Sequence, residues 1–165
     1  MSWVVENLTN DLIVQRLIAP RHAETAFSGD GARLHGGRWN SKGFPVVYTS
    51  SSLALAVLEM LVQANPLPVY IKIPATLPSG LLIAHINTNK VPVDWQSAIA
   101  PPDIQKFGDA WMTERRTCVL RVPSAIIPDE CNYLLNPAHP DFARITIDTP
   151  AKHLMDDRLL KSLNP

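Results

Sequence analysis

The chain has 165 residues, and its fifteen basic and fifteen acidic side chains give a formal net charge of zero. This balance argues against a general nucleic-acid-binding protein, which carries a basic excess, and against a polybasic membrane anchor. With 46% apolar residues and no apolar run of about 18 residues, the sequence predicts one globular domain without a transmembrane helix.

The N-terminal residues and the cysteines indicate the compartment. The first six residues lack the basic segment and the long apolar run of a secretory signal peptide. The two cysteines, Cys118 and Cys131, are too few for a disulfide framework, and their spacing fits no metal motif. We therefore expect a cytoplasmic protein. Its neutral surface offers little charge repulsion, so association with a partner protein or as a homodimer is expected.

The first part of the chain is predicted to contain one long polar loop. Residues 11–19 form an apolar run and are predicted as a strand or a short helix. Residues 20–44 are polar and rich in glycine, and loops of this length are often functional. A strand is predicted over residues 45–49. A helix over residues 53–64 follows, opened by a serine cluster and ended by Asn65-Pro66.

The rest of the chain is predicted to contain short strands and two helices, without an internal repeat. One helix begins at Pro101-Pro102, and a short amphipathic helix covers residues 154–163. Because strands outnumber helices and do not alternate regularly with them, the fold class is predicted as α+β, in one domain over residues 1–165. The strands are predicted over residues 69–73, 81–86, 117–122 and 144–147.

Glu59 is the most informative single position. All residues from Leu53 to Val62 except Glu59 are apolar, which is typical of a buried helix. A carboxylate within such a helix is almost never fully buried without a partner. Glu59 therefore either lies on the one solvated edge of the helix or faces a cleft, where it is paired with an arginine or a ligand.

The polar loop carries a candidate anion site. Five of the seven glycines fall between residues 29 and 43. Gly36 and Gly37 allow close backbone approach, and Arg38 beside them suits a forked grip on phosphate or carboxylate. Trp39 and Asn40 are either ligand contacts or parts of a turn whose tryptophan fills the core. Further cationic or titratable groups on the same loop are Arg33, His35 and Lys42.

Three other residues have two interpretations each. Arg16 interrupts an apolar run and is either a surface residue of an edge strand or part of the same cleft. Tyr48 is either a core aromatic residue or a platform for a flat ring. Ser124 is either a turn residue or part of the site, and no Gly-x-Ser-x-Gly elbow marks it as a nucleophile. The histidine spacing predicts no metal site, and Rossmann and P-loop glycine patterns are absent.

Several motifs together resemble the RES domain family. They are the run from Gly31 to Asn40, Gly43, Val46–Thr49, Leu53–Glu59, Val119–Ser124 and Asn132–Pro137. The resemblance covers about residues 13 to 160. The family is named for an Arg, a Glu and a Ser.

The resemblance implies roles for nine residues. The family's Glu falls on Glu59, its Ser on Ser124 and its active-site tyrosine on Tyr48, and arginine positions fall on Arg16 and Arg38. These five are the implied catalytic residues. In this scheme Ser124 hydrogen-bonds the nicotinamide amide or a ribose hydroxyl. The implied substrate-binding residues are Arg33, Gly37, Trp39 and Asn40, and no metal is implied.

The resemblance also implies a fold, an activity and a partner. Family members are toxins of bacterial toxin–antitoxin pairs. Their fold is similar to that of ADP-ribosyltransferases such as diphtheria toxin, with mixed β-sheets flanked by short helices. They consume NAD as a substrate, and no resident cofactor is implied. Water or inorganic phosphate is the acceptor, or in some members a protein. The antitoxin is an Xre-type helix-turn-helix protein that covers the cleft. A non-catalytic nucleotide- or partner-binding module is the alternative from another class.

Overall fold

The computed structural model describes residues 3–63 and 65–161, which form nine strands and four α-helices. The strands are β1 (Val4–Asn7), β2 (Leu12–Ile18), β3 (Val47–Ser50), β4 (Val69–Leu77), β5 (Leu82–His85), β6 (Val119–Pro123), β7 (Cys131–Leu135), β8 (Thr146–Ile147) and β9 (Ala151–Leu154). The helices are α1 (Asp30–His35), α2 (Leu53–Leu61), α3 (Pro102–Glu114) and α4 (Asp157–Lys161). Short 3₁₀ segments cover Pro20–Thr25, Thr88–Lys90 and Pro140–Arg144.

All nine strands belong to one mixed sheet. Its order is β1-β5-β6-β7-β3-β2-β4-β8, and β9 also pairs with β4. The β5–β6 pair is parallel and the other pairs are antiparallel. This mixed sheet with few helices confirms the predicted α+β class. Strands β2 and β3 share a single residue pair, Gln15 with Ser50, so the sheet is nearly divided at that point.

The sheet is buried on both faces at its centre. Val119 and Leu135 belong to one buried cluster, whereas their chain neighbours Leu120 and Leu134 belong to another. Because successive side chains of a strand point to opposite faces, these clusters lie on opposite sides of the sheet. A third cluster, which includes Ala56 of α2, packs that helix on the sheet.

Helix α2 begins where the serine cluster predicts. The Ser52 hydroxyl accepts a hydrogen bond from the Leu55 N–H at 3.1 Å and caps the helix. The helix ends at Leu61, earlier than the predicted residue 64. Four residues further on, Asn65 has a φ of 59°, a left-handed conformation that is incompatible with a helix at that point. Ala64 itself lies outside the described residues.

Other predicted elements differ in extent from the structure. The predicted loop 20–44 contains a 3₁₀ segment and α1. The late strand is confined to Thr146–Ile147, and the predicted C-terminal helix over residues 154–163 is present as the shorter α4, which strand β9 precedes. Strand β9 was not predicted; it pairs with β4 and includes Leu154, the first residue of the predicted helix. Residues 162 and 163 lie outside the described part of the chain.

Two more strands, β1 and β7, were not predicted. Strand β1 is a mostly exposed edge strand, so its sequence shows no alternation of apolar and polar residues. Strand β7 is central, and both Leu134 and Leu135 are fully buried, which removes the polar–apolar alternation. Among the described residues, every helix is too short or too polar to cross a bilayer.

We expect Gly108→Ala to destabilise the protein. Gly108 lies inside α3, and a Cβ atom there would overlap the carbonyl oxygen of Trp39 and approach its carbonyl carbon to 2.9 Å. The overlap involves backbone atoms, so the helix must move away from the loop. The expected loss in the free energy of unfolding is at least about 2 kcal/mol, measured by urea denaturation.

The matched control is Gly31→Ala. Gly31 lies in α1, and a Cβ atom there would meet nothing within 4 Å. Alanine in a helix is favoured over glycine by about 0.5–1 kcal/mol, so this variant is expected to be neutral or slightly more stable. Equal stability of the two variants would contradict the close packing of α3 on the Trp39 loop.

Candidate active site

A cleft of about 770 Å³ opens where β2 and β3 share their single pair. Both residues of that pair, Gln15 and Ser50, line it. Its walls come from α2, the glycine-rich loop, the segment 96–100 and the turn after β6. The volume lies within the range of about 300–1,000 Å³ typical of ligand sites. Side chains with candidate chemistry on its wall are Arg16, Arg38, Tyr48, Glu59 and Asn132.

Glu59 faces this cleft from the second turn of α2. Its Oε1 accepts hydrogen bonds from Asn132 Nδ2 at 2.7 Å and from the Ser124 hydroxyl at 3.0 Å. Oε2 accepts no hydrogen bond from the described residues. Of the two interpretations of Glu59, the structure supports a cleft-facing carboxylate. Its partners are neutral donors, and no arginine forms an ion pair with it in the described part of the chain.

Ser124 is fully buried beneath Glu59. Its hydroxyl donates to Glu59 and accepts from the backbone N–H groups of Ile126 and Ile127 at 3.1 and 3.2 Å. A hydroxyl has one proton and two lone pairs, so all its hydrogen-bonding capacity is used. The expected contact of Ser124 with nicotinamide or ribose is therefore replaced by a hydrogen bond that holds Glu59. This geometry also excludes a free nucleophilic hydroxyl in this state.

Arg16 lies on β2 and lines the cleft. Its Nη1 donates to the Tyr48 carbonyl at 2.6 Å, whereas its buried Nε has no hydrogen-bond partner. Among the described residues no carboxylate lies within ion-pair distance of it. Burial lowers the pKa of the Arg16 guanidinium to about 10, so the group remains cationic at neutral pH. An anionic ligand would compensate this buried charge.

Tyr48 lines the cleft, and its hydroxyl is bound inside the protein. The hydroxyl donates to Asn40 Oδ1 at 2.7 Å and accepts from the Trp39 N–H at 3.1 Å. Burial raises the pKa of the Tyr48 phenol, which stays protonated at neutral pH. Gly37 is required beneath it, because a Cβ atom there would overlap the Tyr48 hydroxyl.

Arg38, on the glycine-rich loop, also lines the cleft. Its Nη1 donates to the Trp95 carbonyl at 2.7 Å and its Nη2 to the Ser97 carbonyl at 2.9 Å. The same segment supplies Gln96, Ala98 and Ala100 to the cleft wall. Arg38 therefore fixes one wall of the cleft, and its forked geometry is used on main-chain oxygens.

The remaining expected ligand contacts, apart from Gly37, do not line the cleft. Trp39 is 2% exposed and packs in the core against Trp95, with ring centroids 6.1 Å apart. Asn40 is fully buried, and its Nδ2 donates to three carbonyl oxygens of the loop. Arg33 lies on the exposed side of α1 and pairs with Asp30 at 3.1 Å. Trp39 and Asn40 thus support the cleft wall from the protein interior. Of these candidates, Gly37 alone lines the cleft.

Asn132, Ser50 and Gln15 belong to the site but were not predicted as site residues. Asn132 bonds Glu59, and its Oδ1 accepts from the Ser50 hydroxyl at 2.8 Å. These residues come from three different strands, so their proximity depends on strand pairing that the sequence does not display. A small polar residue at the start of an otherwise apolar strand, as at Asn132, is the one local signal available.

The arrangement suits an anionic ligand and a positive charge that develops beside Glu59. Two guanidinium groups can hold phosphate oxygens, an aromatic ring can stack on a base, and a carboxylate oxygen remains open. Among residues 3–63 and 65–161, no group of three histidine, cysteine or acidic side chains is placed to hold a metal ion.

Comparison with known proteins identifies the same family that the sequence motifs resemble. The RES domain model matches residues 13–157. A protein of Sphingobium sp. named Prs ADP-ribosylating toxin is 41% identical over 140 residues, which are 81% of this chain and 86% of that protein. Toxin Res of Photorhabdus laumondii is 37% identical over 158 residues, 92% of this chain and 99% of that protein.

A solved structure shows the same fold at low sequence identity. A chain of the M. tuberculosis MbcT–MbcA toxin–antitoxin complex superposes with a TM-score of 0.67 at 18% identity, over 95% of this chain and 91% of that chain. The family match spans most of the chain, and the motifs supply several residues of the cleft, among them Arg38, Tyr48 and Glu59. The chain belongs to the RES domain family.

Proposed function

We propose that this chain is the toxin of a bacterial toxin–antitoxin pair and that it depletes NAD by cleaving the nicotinamide–ribose bond. The observation that carries the proposal is the Glu59 carboxylate, which is fixed in the cleft through Oε1 and keeps Oε2 open. Arg16 and Arg38 line the same cleft. An open carboxylate near two cations matches a substrate with a ribosyl centre and a pyrophosphate.

The chemistry of the bond explains why one carboxylate suffices. Departure of nicotinamide leaves an oxocarbenium-like ribosyl cation. Nicotinamide leaves as a neutral molecule, so the reaction needs no general acid. Glu59 Oε2 stabilises the developing positive charge and binds the ribose hydroxyls. The ring of Tyr48 stacks on nicotinamide or ribose, and Arg16 and Arg38 bind phosphate.

Water or inorganic phosphate completes the reaction as the acceptor. Water gives nicotinamide, ADP-ribose and a proton, and phosphate gives nicotinamide and a phosphorylated ADP-ribose. In the phosphorolytic reaction the second anion also needs a cationic contact, and the guanidinium of Arg16, which lines the cleft, is suited to supply it.

A protein acceptor is the second candidate. It is favoured by the name of the Sphingobium relative, an ADP-ribosylating toxin that is 41% identical to this chain. Cleavage of the same nicotinamide–ribose bond by the same cleft residues would precede transfer. The two candidates therefore differ only in what attacks the ribosyl cation.

An antitoxin is the proposed protein partner. A structural neighbour comes from a toxin–antitoxin complex, and relatives above 30% identity carry toxin names. We infer an Xre-type helix-turn-helix partner that covers the cleft, and action in the cytoplasm, where NAD is abundant. An adjacent reading frame with a helix-turn-helix pattern would support this pairing.

Glu59→Gln is expected to keep the fold and to reduce NAD turnover by about 10²- to 10³-fold. The glutamine carbonyl oxygen can still accept both hydrogen bonds, but the amide lacks the negative charge that stabilises the ribosyl cation. Turnover is measured as nicotinamide release by NMR. Glu24→Gln, an exposed change of the same kind, is the control and should match the wild type. Unchanged turnover in Glu59→Gln contradicts the role of Glu59.

Arg38→Lys is expected to raise the KM for NAD about tenfold with a smaller effect on kcat. Lysine is a point donor and cannot hold the Trp95 and Ser97 carbonyls and a phosphate with forked geometry. Steady-state kinetics at saturating and limiting NAD measure both constants. Arg116→Lys, at an exposed position, is the control. A wild-type KM in Arg38→Lys would refute this role.

The acceptor is tested by following nicotinamide release from the purified chain with and without phosphate. Release in phosphate-free buffer with ADP-ribose as product identifies water. Release that requires phosphate identifies phosphorolysis. Transfer of labelled ADP-ribose to one protein in an extract, without free ADP-ribose, identifies the transferase. NAD binding without any product would indicate a non-catalytic module and overturn the proposed function.

A further inference from the structure

We propose that Asn132 is a positioning residue that, together with Ser50, orients the Glu59 carboxylate and keeps it an acceptor. The inference rests on the proposed function and adds a residue that acts through Glu59. It is carried by a chain of hydrogen bonds from the Ser50 hydroxyl to Asn132 Oδ1 at 2.8 Å and from Asn132 Nδ2 to Glu59 Oε1 at 2.7 Å.

The direction of these hydrogen bonds is set by the groups around them. An asparagine amide can present either its oxygen or its nitrogen to a neighbour. Ser50 donates to Oδ1, so the amide nitrogen is the end that meets Glu59. Asn132 has little freedom to turn away, because its backbone is paired with Ser50 of β3 on one side and Val122 of β6 on the other.

The second donor to Glu59 is fixed in the same way. The Ser124 hydroxyl accepts from two backbone N–H groups, at Ile126 and Ile127, so its proton points to Glu59 Oε1. Both neighbours of Oε1 are therefore donors, and Oε1 can only accept. This arrangement leaves Oε2 as the oxygen that meets the ligand.

The chain of hydrogen bonds also sets where Oε2 lies. Ser50 forms the single pair between β3 and β2, at the point where the sheet opens into the cleft. Asn132 thus links the Glu59 carboxylate, on α2, to Ser50 at the edge of the cleft. Displacement of a reacting group by about 1 Å can cost about 10²-fold in rate, so this restraint has a measurable effect on turnover.

The test is Asn132→Asp in the full chain. The change is nearly isosteric, but at neutral pH it places a second carboxylate where the amide donor was, 2.7 Å from Glu59 Oε1. We expect kcat for NAD to fall about tenfold to a hundredfold with a KM within about threefold of the wild type. Asn89→Asp, an exposed change of the same charge, is the matched control.

The pH profile separates positioning from a general structural defect. Two adjacent carboxyl groups share one proton as the pH falls, and the protonated one is again a donor. The activity of Asn132→Asp relative to the wild type should therefore rise as the pH is lowered from about 8 to about 5. Arg16 stays cationic over this range, because its pKa is about 10. Glu130, which accepts a hydrogen bond from Ser52 at 3.4 Å, is an acidic group on the segment just before β7.

A stability cycle tests the inference without any activity. Asn132→Asp is expected to lower the melting temperature by at least about 3 °C. Adding Glu59→Gln should restore part of that loss, because the repulsion between two carboxylates is gone, although one amide atom cannot both accept from Ser124 and donate to the new carboxylate. The inference is overturned if Asn132→Asp lowers the melting temperature equally in both backgrounds, or if it leaves kcat unchanged. Absence of NAD turnover in the wild type would refute the proposed function instead, and the stability cycle would still decide the role of Asn132.

Discussion

The hydrogen bonds to one oxygen of Glu59 are the interaction on which the cleft depends. Helix α2 is apolar around nearly its whole circumference, so its one carboxylate must be stabilised by groups from elsewhere in the fold. Those groups are Asn132 of β7 and Ser124 of the turn after β6. Three separate elements therefore meet at a single atom. The same contacts that make the buried end of the carboxylate tolerable also leave its other oxygen open.

The glycine-rich loop forms another part of the cleft wall. Its polar residues bond mainly to the protein itself: Asn40 bonds three carbonyl oxygens, and its Oδ1 accepts from the Tyr48 hydroxyl. Gly37 allows Tyr48 to lie directly against the loop, and Gly108 allows α3 to lie against Trp39. The glycines thus serve close packing between backbones and rings, and the rigid wall that results holds Arg38 and Tyr48 in place.

Local sequence patterns predicted the elements whose signal is local. The serine cap and apolar run of α2, the prolines before α3 and the alternation in β4 were sufficient for these elements. Strand β7 was not predicted, because burial on both faces removes alternation, and β9 was not predicted, because pairing with β4 decides its conformation. The same limit applies to the site. Glu59 is visible as a lone charge in an apolar helix, whereas Asn132 depends on long-range pairing.

The two arginines of the cleft differ in a way that bears on anion binding. Arg38 already satisfies two of its nitrogens with main-chain carbonyls, so a phosphate there must share or replace existing hydrogen bonds. Arg16 makes one hydrogen bond among the described residues, to the Tyr48 carbonyl, and no carboxylate there neutralises its charge. Binding an anion at Arg16 therefore costs no protein hydrogen bond and relieves a desolvated cation. On the proposed function, phosphate recognition is strongest at Arg16, and Arg38 acts mainly by holding the wall that encloses the substrate.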